Sequence, residues 1–172
     1  MTAGTWKAIA CVAFVLIACA AFSETLDAKY FCTAESSDGL AYDAALQQWV
    51  GTAFKPTHKF VLRLKLVRTR TPTGTERSRI IGDTIGDYEV AITDAGEKVA
   101  IPCWSNAAFK AGDGTVPIDG RRWLFCETSV GNYQLNLNNN RYLEVYPIGY
   151  ADGQENNDNT PYVEGGTCTK ID

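Results

Sequence analysis

Histidine is almost missing from this chain: one imidazole, His58, in 172 residues. With no C-x-x-C pair beside it, no Cys/His zinc set of standard spacing can be written. G-x-S-x-G, H-E-x-x-H, the P-loop and the G-x-G-x-x-G turn are absent too. No hydrolase, metalloprotease, nucleotide or dinucleotide site is therefore spelled out locally, and no cofactor is implied. Three turns of helical period are nowhere found. "DAALQQW" and "NAAFKAG" are the nearest approaches. Long apolar runs are also lacking, with a single exception near the start.

That exception is Ala8–Ser23, sixteen uncharged residues after "MTAGTWK". It is shorter than the ~20 residues that span a bilayer as a helix. A basic n-region, an apolar h-region and small residues at the end are the marks of an export signal. Ala21 and Ser23 flank Phe22 in the A-x-A manner, giving residues 1–23 as a signal peptide and Glu24 as the new N-terminus. "LIAC", Leu16–Cys19, offers a second reading, a lipoprotein signal over 1–18 with Cys19 lipidated. Residues 24–28 are then a short tether and 29–172 a single domain. The expected location is secreted or periplasmic, with a membrane reached only through a lipid anchor on Cys19.

Without Lys7 the exported part carries fifteen basic and twenty acidic residues, a net charge of −5. This opposes nucleic acid as a partner. Cys11 and Cys19 fall in the signal. Cys32, Cys103, Cys126 and Cys168 remain, an even set that reads as two disulfides in an oxidising compartment. Of three pairings the preferred one is Cys32–Cys168, joining first and last strands, with Cys103–Cys126 joining neighbours.

What the sequence has in plenty is strand signal. "KYFCTA", "GLAYD", "QQWVGTAF", "HKFVLRLKLVRTR", "DYEVAITD", "KVAIPCWS", "RRWLFCET", "YQLNLN", "RYLEVYPIGY" and "GGTCTKI" are short β-branched or aromatic runs punctuated by Gly, Asn, Asp and Pro. "SSDG", "DAG", "VGN" and "NNN" read as turns. In the clearest run Phe60, Leu62, Leu64 and Leu66 share one face, period two. Two longer loops are expected, 106–120 and 151–161. The fold class is all-β: one antiparallel barrel or sandwich, a meander of nine or ten short strands.

Four features could carry function. Arg63, Lys65, Arg68, Arg70, Arg77 and Arg79 form a basic hairpin able to meet an anionic surface or acidic partner, or else a solvated face neutralised across the ladder by Asp83, Asp87 and Glu89. The 151–161 loop is rich in oxygen ligands without the order of a calcium loop. Aromatic residues recur along the chain and line either a cavity or a dry core. Tyr142, Glu144 and Tyr146 alternate; facing inward, Glu144 would need a partner, with Arg122 or Arg141 as candidates. His58, between Lys55 and Lys59, reads as an exposed loop residue whose neighbours disfavour the imidazolium.

The leading expectation is an exported, non-catalytic β-domain that binds a small ligand or a protein. A structural envelope lipoprotein is one alternative. A small secreted hydrolase using carboxylates, Glu127 and Glu144, is the other.

Overall fold

Period-two alternation becomes a single antiparallel sheet. A computed structural model of the chain describes residues 27–79, 81–105, 114–129 and 131–172. The expected export signal with Cys19, and the "NAAFKAG" candidate, lie outside them. Ten strands follow in order: β1 (Ala28–Asp43), β2 (Gln48–Phe54), β3 (Lys59–Arg70), β4 (Ile85–Asp94), β5 (Ile101–Pro102), β6 (Val116–Ile118), β7 (Trp123–Glu127), β8 (Asn132–Asn136), β9 (Arg141–Tyr146) and β10 (Tyr162–Lys170). A 3-10 turn at Gly74–Ser78 is the one helical piece among the described residues. No helix among them is long and apolar enough to cross a membrane.

The strands run in the order β5-β4-β3-β1-β10-β9-β8-β7, with β2 also on β1 and β6 also on β4. The first and last strands therefore pair in the middle of the sheet. Two of its strands are interrupted. β3 pairs with Ala28–Thr33 of β1 and β2 with Ser37–Asp43, so β2 and β3 are one course along β1 broken at 55–58. Pro56 explains the break, because it has no N–H to give a ladder. β5 and β6 share one edge of β4 in the same way.

β5 and β7, the ends of the path, come together at a Trp104–Glu127 bridge with two backbone hydrogen bonds of 2.8 and 2.9 Å. Cys103 and Cys126, each adjacent to a bridge residue, are joined by a disulfide. The ladder does not continue through this seam, so the sheet is not a closed barrel. Cys32 and Cys168 are directly opposed on β1 and β10 and form the second disulfide. Both pairs are those preferred among the three possible pairings, and Cys103–Cys126 joins the two ends of the sheet beside the Trp104–Glu127 bridge.

Inside lie Tyr30, Phe60, Leu62, Leu64, Val90, Ile92, Leu124, Leu135 and the cystines. Phe60, Leu62 and Leu64 share the buried face as their alternation requires, with Leu66 half-buried beside them. Two expectations are corrected. "SSDG" does not turn: β1 continues through it, with a register shift between Ala34 and Ser36 that absorbs the irregularity. The 106–120 stretch is not all loop, since Val116–Ile118 form β6. The "DAALQQW" candidate is a turn from 44 to 47, where Asp43 Oδ1 accepts from the Ala45 and Leu46 amides.

Candidate functional site

The polar residues that matter sit where the hydrophobic alternation continues past the end of the core. Counting back two from Phe60 gives His58, inward in the same phase. The break at Pro56 frees His58 from the ladder, although its carbonyl still accepts from Ala34 N at 3.0 Å. On β9 the phase of Tyr142 places Glu144 inward; on β10 Glu164 is inward. Register makes Glu144 and Glu164 direct cross-strand partners. Tyr133 of β8 faces Glu144 from the other side. Asp94 ends β4, opposite Phe60.

These positions converge on one imidazole. His58 Nδ1 lies 2.9 Å from Glu144 Oε2 and 3.3 Å from Glu164 Oε1, and Nε2 lies 3.0 Å from Asp94 Oδ1. Glu144 Oε1, the oxygen turned away from His58, accepts from the hydroxyls of Tyr133 and Tyr162, both at 2.9 Å. Tyr142 donates to Glu164 at 3.3 Å. The side chains of Glu144 and Glu164 are 2% and 5% exposed, that of His58 22%. Below this layer the rings of His58, Tyr133 and Tyr142 each lie 5.0–5.5 Å from Phe60. Gly166 makes the packing feasible: a Cβ there would stand 2.7 Å from the Tyr142 ring and 2.1 Å from the Thr33 carbonyl.

Above the layer is a cavity of about 510 Å³. His58, Glu144, Glu164 and Tyr133 line its inner part, with Tyr146 and Tyr162, stacked at 5.4 Å, on one wall. Phe54, Lys55, Asp94 and Ile101 complete much of the lining. The charged residues among its lining are three carboxylates against His58 and Lys55.

Electrostatics follow from the contacts. The hydrogen bond to Glu144, supported by Asp94, holds the His58 pKa up at about 9 against the opposing effect of burial. The expectation that Lys55 and Lys59 would depress it is thus overturned: the carboxylates of Glu144 and Asp94 contact the ring directly and set its charge. Burial is the main cause that raises Glu164 above the usual carboxylate range, with Glu144 adding to it and His58 opposing. Tyr133, Tyr142 and Tyr162 are all pushed far up, first by burial and then by the adjacent carboxylates, so each hydroxyl is a donor at neutral pH.

Several anticipated residues fall elsewhere. Neither Arg122 nor Arg141 partners Glu144; His58, Tyr133 and Tyr162 do. Glu127 and Glu144 do not form a pair. Cys126, Tyr133 and Glu144 are aligned across β7, β8 and β9, and Cys126 points inward, so Glu127 next to it projects from the opposite face.

In the basic hairpin, Lys65 meets Glu89 at 2.9 Å, while Arg68 and Arg70 both donate from Nε to the wholly buried Asp87 at 2.8 Å. Arg70 also clamps Glu76 through two 2.8 Å bonds. Arg63, Arg77 and Arg79 are exposed. Three of the six cations are therefore engaged within the chain. Oxygens of the 151–161 loop are similarly used, Asn157 bridging the Tyr42 backbone N–H and C=O at 2.7 and 2.9 Å.

The site has one signal in the sequence, the recurrence of Tyr-x-Glu at 142–144 and 162–164 on adjacent strands. No family model, no curated protein and no solved structure matches this chain.

Proposed function

We propose that this is an exported binding domain whose ligand carries positive charge and occupies the cavity over Glu144 and Glu164. The observation behind this reading is the pair of buried carboxylates set directly opposite one another, with one imidazole between them. Nδ1 can give a single proton to two acceptors. Buried anions need pairing, and here an added cation would offset charge that His58 alone leaves uncompensated. Aromatic walls add a favourable face for a cation.

Geometry disfavours the carboxylate hydrolase. Glycoside hydrolysis holds its carboxyls ~5–5.5 Å apart to retain configuration, or ~6.5–9.5 Å apart to admit water and invert it. Glu127 and Glu144, the carboxylates that reading needs, project from opposite faces of the sheet and do not flank a common space.

A thermal-shift and calorimetric panel tests the reading: choline, spermidine and Zn²⁺ against acetate and glucose as anionic and neutral controls. At least one cation should bind with one-to-one stoichiometry, and Glu164→Gln should weaken it at least tenfold. Binding of the controls in place of any cation would overturn the proposal.

A further inference from the structure

We infer that the cation is a divalent transition-metal ion, ligated by His58 Nδ1, Glu144 Oε2 and Glu164 Oε1. This rests on the cation-binding reading and narrows it to one chemical class.

Donor spacing is the first argument. The three atoms lie within 4.8 Å of one another, with Nδ1 at 2.9 and 3.3 Å from the two oxygens. Metal–nitrogen and metal–oxygen bonds of about 2.0–2.2 Å in a tetrahedral set require donors roughly 3.3–3.5 Å apart. Nδ1 and Glu144 Oε2 need only spread slightly to accept the ion, and Nδ1 and Glu164 Oε1 already stand at that spacing.

The surroundings supply the second argument. A ligating histidine characteristically donates its other ring N–H to a carboxylate, and ligating carboxylates are themselves hydrogen-bonded. Asp94 at Nε2 meets the first condition. With Nε2–H given to Asp94 and the Nδ1 proton displaced by the incoming ion, the ring turns its Nδ1 lone pair toward Glu144 and Glu164, so three donors converge. The Tyr133 and Tyr162 hydroxyls meet the second, holding the far oxygen of Glu144 and leaving Oε2 for the shared point. This shell distinguishes the site from a mere cluster of acids.

Charge and size give the third. A neutral imidazole with two carboxylates carries −2, which a divalent ion cancels. An organic ammonium cannot enter among donors this close together. One nitrogen with two oxygens suits Zn²⁺, Mn²⁺, Fe²⁺ or Co²⁺, whereas Ca²⁺ takes six to eight oxygens. The cavity leaves room for a further ligand beside the three protein donors.

The test uses the exported chain with disulfides intact, stripped with EDTA and titrated with Zn²⁺ by calorimetry, and with Co²⁺ followed by its visible d–d absorption. One equivalent should bind, with a Co²⁺ spectrum of four- or five-coordinate type. His58→Gln and Glu164→Gln should abolish the band. Asp94→Asn, which changes a positioning residue, should weaken affinity ~10–100-fold while leaving the Co²⁺ spectrum recognisable. Glu164→Gln keeps size and shape, so its circular dichroism separates lost ligation from lost fold. Zn²⁺ uptake unaffected by Glu164→Gln would overturn the ligand assignment. Binding of choline or spermidine without uptake of Zn²⁺ or Co²⁺ would overturn the metal and leave the cation-binding reading standing. No cation bound at all would overturn both.

Discussion

Glu144 holds three neighbours at once, which makes its removal expensive. Glu144→Ala strands the hydroxyls of Tyr133 and Tyr162 and one face of His58. His58 keeps Glu164 and Asp94, but each hydroxyl left without its acceptor costs ~1–3 kcal/mol, so melting in EDTA should show a fall on the order of 10 °C for a chain of this size. Tyr133→Phe, which deletes one bond and keeps the ring, should cost ~1 kcal/mol.

Glu76 supplies a pH dependence away from the site. Bonded first of all to Arg70, and also to Thr73, its carboxyl is held down at about 2. A lowered folded value means that the stabilisation is complete above the unfolded carboxyl range, near pH 4.5, and is lost as pH falls toward about 2. Urea midpoints measured from pH 5 to 2 should therefore fall less steeply in Glu76→Gln than in the parent chain. Equal slopes would show that Arg70 does not discriminate the ionised form.

Strand existence and phase were open to inspection; strand ends were less so. Phe60, Leu62 and Leu64 announce a half-buried strand because successive side chains must alternate across a sheet. The same rule carried back two residues would have placed His58 inward. Pro56 and the adjacent lysines obscured that, since a broken ladder looks like a loop when read along one chain. "SSDG" misled for the opposite reason. Turn-forming residues are tolerated inside β1 because a register shift absorbs them, and Gly39 lets the strand approach the Pro161 carbonyl, where a Cβ would stand only 2.1 Å away.

The two disulfides are elements of different kinds. Cys103–Cys126 closes 23 residues and Cys32–Cys168 closes 136, so loop entropy assigns them ~3 and ~5 kcal/mol. Paired Cys→Ala variants should reproduce that order in denaturant melts. Loss of Cys103–Cys126 should also speed amide exchange at Trp104 and Glu127, whose two bonds bridge the seam there, while β1–β10 amides stay protected.

Across the molecule as a whole, export and the site make separate demands on experiment. If the export signal is cut as proposed, protein from its native host should begin at Glu24, and its intact mass should be lighter by about four hydrogens before reduction. A chain beginning at acylated Cys19 would instead move the domain to a membrane surface, and with it the envelope-lipoprotein reading to the front. Class, strand number and the presence of two disulfides were legible beforehand, because period-two hydrophobicity belongs to neighbouring letters and an even cysteine set to composition, whereas the pairing was a preference among three. The site was not. His58 meets Asp94 and Glu144 across 36 and 86 residues, and Glu144 meets Glu164 through the register of β9 with β10. Such contacts arise from how far one strand slides past another and from the curl that brings β3 and β4 toward β9. A one-residue slip would turn either glutamate outward. Packing of the whole core sets that register, and no local spacing encodes it.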